Sequence, residues 1–222
     1  MHYDESNAMR TPWTLLFAGL CSAALMSASG EFPEPAADVK PTPGKTQKAV
    51  FAGGCFWCTE AVFEMIEGVT GVVSGYSGGD MGTATYEQVS TGATGHAEAV
   101  EITFDSTKVT YGQLLKVFFS VAHDPTQLNR QGPDRGPQYR SAVFYIGTEQ
   151  RKATEAYIAA MAKERTFAQP IVTQVVPFQA FYEAESHHQN FCSRNPRNRY
   201  VQAIAAPKMD KTKKQYPGML KR

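Results

Sequence analysis

The chain has 222 residues with 22 basic and 21 acidic side chains, a net charge of +1. That length can bury a real core without disulfide or metal staples, and the balanced charge gives no electrostatic reason for a nucleic-acid or acidic-membrane partner. Four cysteines, Cys21, Cys55, Cys58 and Cys192, are too few for a disulfide-framed fold and too unevenly spaced for a four-thiolate zinc site, so catalysis is their better use.

In chain order, the apolar run Trp13–Ala28 followed by Ser29-Gly30 has the form of an export signal, with cleavage expected after Gly30. Counting from Met9 places Arg10 in a conventional basic start, whereas residues 1–8 carry Asp4 and Glu5. The expectation is a signal peptide over 1–30 and an exported, periplasmic protein, with an uncleaved membrane anchor as the alternative. Acylation of Cys21 is disfavoured because Leu20 stands where a small residue is wanted. Residues 31–47, with Pro33, Pro35, Pro41 and Pro43, read as a linker, 48–207 as the folded domain, and 208–222 as a solvated basic tail.

Within the domain, periodicity predicts a strand at Lys48–Ala52 and a helix over Cys55–Glu67 stopped by Gly68. A strand at Val69–Tyr76 runs into the turn Ser77-Gly78-Gly79-Asp80. Ala97–Asp105 alternates, with Ala97, Ala99 and Glu101 on one face and Val100, Ile102 and Phe104 on the other. Tyr111–Ala122 and Glu149–Arg165 read as helices, and Ala142–Ile146 and Ile171–Pro177 as strands. This order suits an α+β fold, a two-layer sandwich of helices on a mixed sheet with a ferredoxin-like core and a long irregular C-terminal region. The connection His123–Arg140 and everything after Phe178 are long and polar enough to be functional.

The chemistry points to Gly54-Cys55-Phe56-Trp57-Cys58, where a strand gives way to a helix. Only the thiolate is a strong nucleophile, and a helix N-terminus favours thiolate over thiol. With Thr85-Tyr86, Gly92–Glu98, His123-Asp124-Pro125 and Asp134–Ser141, this segment resembles the A-type peptide methionine sulfoxide reductases, over about Lys48 to Lys208. The resemblance implies reduction of the S epimer of methionine sulfoxide, in proteins or free, using a thioredoxin or thioredoxin-like reductant. It implies no cofactor or metal, and a monomer is expected.

A thiolate can attack a sulfoxide sulfur only if the oxygen is protonated as it leaves. Cys55 is therefore the candidate nucleophile and Glu98 the candidate acid, a carboxyl kept neutral by a dry pocket. Tyr86 and Tyr139 match the family's two oxygen-binding phenols, Asp134 would orient them, and Phe56, Trp57 and His188 would bind the substrate. Where many members carry a resolving cysteine, this chain has Arg199-Tyr200-Val201. Cys58, one helical turn from Cys55, is the preferred resolver and Cys192 the alternative. Glu185-Ser186-His187-His188-Gln189 also departs from the family's Glu-Asp-Tyr-His-Gln, and His123 is expected to be structural. Two rivals are a thioredoxin-like disulfide exchanger and a zinc module built from Cys55, Cys58, His187 and His188.

Overall fold

The computed structural model describes residues 32–42 and 44–222. The proposed signal peptide and Cys21 lie outside the described residues. Strand β1 spans Thr46–Gly53, followed by helix α1 at Phe56–Glu64 and strand β2 at Val69–Ser77. A short helix α2, Tyr86–Val89, leads to β3, Ala97–Asp105, and then to α3, Tyr111–Val117. The two-residue strands β4 (Arg130–Gln131) and β5 (Asp134–Arg135) form a hairpin before β6, Ser141–Tyr145. Helix α4 is Gly147–Lys163, β7 Gln174–Pro177, β8 Phe181–Glu183, α5 Phe191–Arg194 and α6 Ala206–Gln215.

The main sheet has the order β7-β6-β1-β3-β2-β8. Its four central strands form antiparallel pairs, while β7 adds in parallel to β6, so the sheet is mixed around a ferredoxin-like β6-β1-β3-β2 core. The predicted facing of β3 holds: Val100, Ile102 and Phe104 join the large core under α1, α3 and α4, while Ala97 and Ala99 join a smaller cluster on the far face with Val50, Ala52 and Phe144. By the same alternation Glu98 points to the helix side.

Three expectations change. The helix expected to run to Ala122 is α-helical only to Val117, started by a reciprocal capping box between Thr110 and Gln113, and then widens into a π turn over Phe118–Ala122. Residues 32–42 are not a free linker. Phe32 packs edge-on against Phe167 at 5.6 Å, Val39 joins the core, Glu34 pairs with Lys116, and Asp38 accepts the Gly112 N–H at 2.8 Å. Few apolar groups suffice because α3 offers an unpaired N–H and a lysine for the carboxylates between them.

Nor is 208–222 a solvated tail. Lys208 and Lys211 donate to the Ala122 and Ser120 carbonyls, both at 2.7 Å, so these lysines satisfy the end of the π turn. Thr212 is fully buried, the Tyr216 hydroxyl lies 2.6 Å from Ser120 Oγ, and Leu220 bridges Ile66 just after α1. Replacing Tyr216 with Ala should therefore cost about 2 kcal/mol in urea unfolding, from lost packing and a lost hydrogen bond. A change under about 0.5 kcal/mol, as expected of a surface site, would restore the tail picture.

Candidate active site

Between β1 and α1 the chain must reverse within two residues, and Gly54 does so at φ +85°. A Cβ there would fall 2.4 Å from Gln131 Cβ, so the turn and the β4–β5 hairpin can approach only because residue 54 is glycine. Cys55 is the N-cap of α1, as the sequence pattern required. The side chains of Cys55, Phe56, Trp57, Tyr86, Glu98, Asp134, Tyr139 and Tyr200 line one cavity of about 180 Å³.

Each wall arrives on a different element. Glu98 is the second residue of β3, only 2 % exposed, and its Oε2 accepts the Phe56 N–H at 3.0 Å. The first free N–H of α1, expected to favour a thiolate, therefore serves this carboxyl instead. Tyr86 opens α2 behind its N-cap Thr85, and its own N–H is held at 2.9 Å by Glu185 Oε1. Tyr139 ends a one-turn 3₁₀ segment that Gly136 begins at φ +131°. Asp134 comes from the hairpin and accepts the Tyr200 hydroxyl at 2.5 Å.

Burial pushes Glu98 up to about 8, outweighing the Phe56 hydrogen bond that stabilises its anion. Cys55 is also raised: burial acts first, then the neighbouring Cys58 thiol and the proximity of Glu98. The neighbouring Cys55 in turn holds Cys58 below the usual thiol range. The resting Cys55 is thus a thiol, contrary to the expectation from its helix-start position alone, because removal from water exceeds the favour of the helix end. Burial likewise raises Tyr86 and Tyr139, leaving both as hydroxyl donors.

His188 does not line the cavity. It is 2 % exposed and sits behind the wall, where Nδ1 accepts the Trp57 indole N–H at 3.2 Å. Phe191 stacks on the indole with centroids 3.7 Å apart. Cys58 and Cys192 are buried outside the cavity, the Cys192 thiol donating to the Trp57 carbonyl at 3.3 Å. His123 is structural as expected, its ring nitrogens 2.9 Å from the Phe118 carbonyl and 2.7 Å from Ser141 Oγ, and burial pulls it to about 3.

Tyr200 lines the cavity although only the absence of a thiol marks Arg199-Tyr200-Val201 in the sequence. No motif marks Tyr76, whose hydroxyl donates to Glu185 at 2.9 Å, or Glu60, a buried acid pushed to about 7 by burial. Among the described residues no group of three or more His, Cys, Asp or Glu side chains could hold a metal ion.

The raised Glu98 has a consequence for stability. The folded state holds its proton to about pH 8, whereas the unfolded chain releases it near 4.5. Its stabilising contribution is full below the ordinary carboxylate range and disappears as pH rises through about 8. Between about pH 6.5, above which His123 is neutral in both states, and about pH 8, unfolding free energy measured in urea should therefore decline, and Glu98→Gln should flatten the decline, Glu60 leaving a residual slope. An identical slope in the variant would contradict a neutral Glu98.

The chain matches the family described as peptide methionine sulfoxide reductase over residues 47–219. It is 52 % identical over 192 residues to peptide methionine sulfoxide reductase MsrA 2 of Synechocystis sp., covering 85 % of this chain and 90 % of that protein. The fold is similar to Mxr1 from Saccharomyces cerevisiae in reduced form, with TM-score 0.62, 30 % identity, and coverage of 72 % and 91 % of the two chains. It is also similar to methionine sulfoxide reductase A of Corynebacterium diphtheriae, with TM-score 0.60, 35 % identity, and coverage of 71 % and 78 %. Matched over 173 of its residues by the family's pattern and about half identical to its members, the chain belongs to the peptide methionine sulfoxide reductase family.

Proposed function

We propose that the chain reduces the S epimer of methionine sulfoxide to methionine, with Cys55 as nucleophile and Glu98 as proton donor. The observation that carries the reading is the shared cavity of Cys55 and a carboxyl raised to about 8. The sulfoxide oxygen would lie among Glu98, Tyr86 and Tyr139, three donors at neutral pH, and its methyl group against Phe56 and Trp57. Asp134, held by Tyr200, borders the same space.

Cys55 sulfur attacks the sulfoxide sulfur while Glu98 gives its proton to the oxygen and recovers the one leaving the thiol. The oxygen passes to Cys55, so the sulfoxide sulfur gains two electrons and Cys55–SH becomes Cys55–SOH. Cys58 then displaces hydroxide as water, forming a Cys55–Cys58 disulfide that an external dithiol reduces. Cys58 is supported as resolver by its place one helical turn from Cys55 at the start of α1, where the two sulfurs can join with little backbone movement. Cys192, whose thiol is held by the Trp57 carbonyl, is the alternative.

The external dithiol fits a thioredoxin or thioredoxin-like protein, and oxidised proteins or free methionine sulfoxide fit as substrates. Export through residues 1–30 rests on the run Trp13–Ala28 and the small residues after it. Among the described residues no helix is long and apolar enough to cross a membrane.

Assayed with both epimers, the wild type should turn over only the S form, and Cys55→Ser should abolish turnover. Reduction of the R epimer, or turnover by the variant, would refute the mechanism. Peptide mapping after one turnover without reductant should recover a Cys55–Cys58 bridge; a Cys55–Cys192 bridge would transfer the resolving role.

A further inference from the structure

The segments that deliver Glu98 and Tyr139 are far apart in the chain, and one side chain ties them together. Arg140 Nη1 donates to the Pro137 carbonyl and to the His96 carbonyl, each at 3.0 Å. Its Nη2 donates to the Gly95 carbonyl at 2.9 Å, and its Nε to Gln174 Oε1 at 3.2 Å. Pro137 begins the turn that ends in Tyr139, and Gly95-His96 runs directly into β3, where Glu98 is the second residue. Room for this clamp comes from Gly78, where a Cβ would lie 2.9 Å from Nη2.

We propose that Arg140 is a positioning residue that fixes the spacing of Glu98 and Tyr139 around the sulfoxide oxygen, resting on the assignment of those two groups above. A guanidinium is a rigid planar fork whose donors meet three carbonyls at once; an ammonium keeps the charge and loses the fork. Displacing a reacting group by about 1 Å costs on the order of 10²-fold in rate, so a clamp on the segments that carry the reacting groups acts on turnover rather than on substrate affinity.

The surroundings of Arg140 also supply a selective test. Its side chain borders a recess of about 250 Å³ with Phe144, Gln174 and Val176, on the sheet face away from the cavity. With the side chain truncated, a guanidinium ion from solution can reach the vacated carbonyls without entering the active site.

The experiment compares wild type, Arg140→Ala and Arg140→Lys in steady-state reduction of methionine sulfoxide driven by dithiothreitol. Each is run with guanidinium chloride or with sodium chloride at equal ionic strength, and melting temperatures are recorded alongside. In Arg140→Ala, kcat should fall about 10²-fold with KM changed less than about threefold. Added guanidinium should restore kcat about tenfold in this variant and leave wild type and Arg140→Lys unchanged. Arg140→Lys should be as impaired as the alanine variant, and serves alone if the latter does not fold. A kcat within about threefold of wild type in either folded variant would overturn the proposal. So would guanidinium that raises the melting temperature of Arg140→Ala without raising kcat, which marks a purely structural residue. A wild type inactive on methionine sulfoxide would defeat the reading of the site itself.

Discussion

The structure turns on one hydrogen bond, from the first N–H of α1 to a carboxyl buried at the start of the central strand β3. Glu98 Oε2 receives the Phe56 N–H at 3.0 Å, in surroundings that keep the acid protonated to about pH 8. A buried anion there would be costly, and the neutral acid can accept from the helix with one oxygen while offering its own hydrogen to a ligand. The bond fixes α1 over β3 and so places the Cys55 thiol, one residue before Phe56, against the same carboxyl.

Around that bond, polar groups are divided by environment. Glu98 is driven up by burial. At Glu185 burial acts in the same sense, but hydrogen bonds from the Tyr86 N–H and the Tyr76 hydroxyl outweigh it and leave the group below its usual range. One carboxyl is thereby an acid, and the other an anchor for the helix that carries Tyr86. Asp134 is the third, tied to Tyr200 and through it to the segment over Cys58, whose sulfur lies 4.0 Å from the Tyr200 hydroxyl. The cavity is thus a meeting of β3, α1, α2, the β4–β5 hairpin and the C-terminal segment, each held by at least one buried or half-buried hydrogen bond.

Much of this was legible in the sequence because it is local. Alternation along Ala97–Asp105 placed Glu98 on the face of Val100 and Ile102, and a glycine before a Cys-x-x-Cys pair marked a turn into a helix. What sequence could not reveal depends on distant partners. Lys208 and Lys211 look solvated until the π turn at Phe118–Ala122 offers its carbonyls. The linker-like 32–42 is docked because Asp38 finds the Gly112 N–H. The Cys55 thiol looked acidified by its helix, but its burial and its facing carboxyl are tertiary facts. His188 matched a motif without disclosing that its role is to hold the Trp57 indole from behind.

The protonation of Glu98 can be observed directly. In reduced protein carrying carboxyl-¹³C glutamate, the resonance assigned by its loss in Glu98→Gln should titrate with a midpoint close to 8, well separated from exposed glutamates. A midpoint in the ordinary range near 4.5 would make this group an anion at neutral pH and leave the sulfoxide oxygen without its acid.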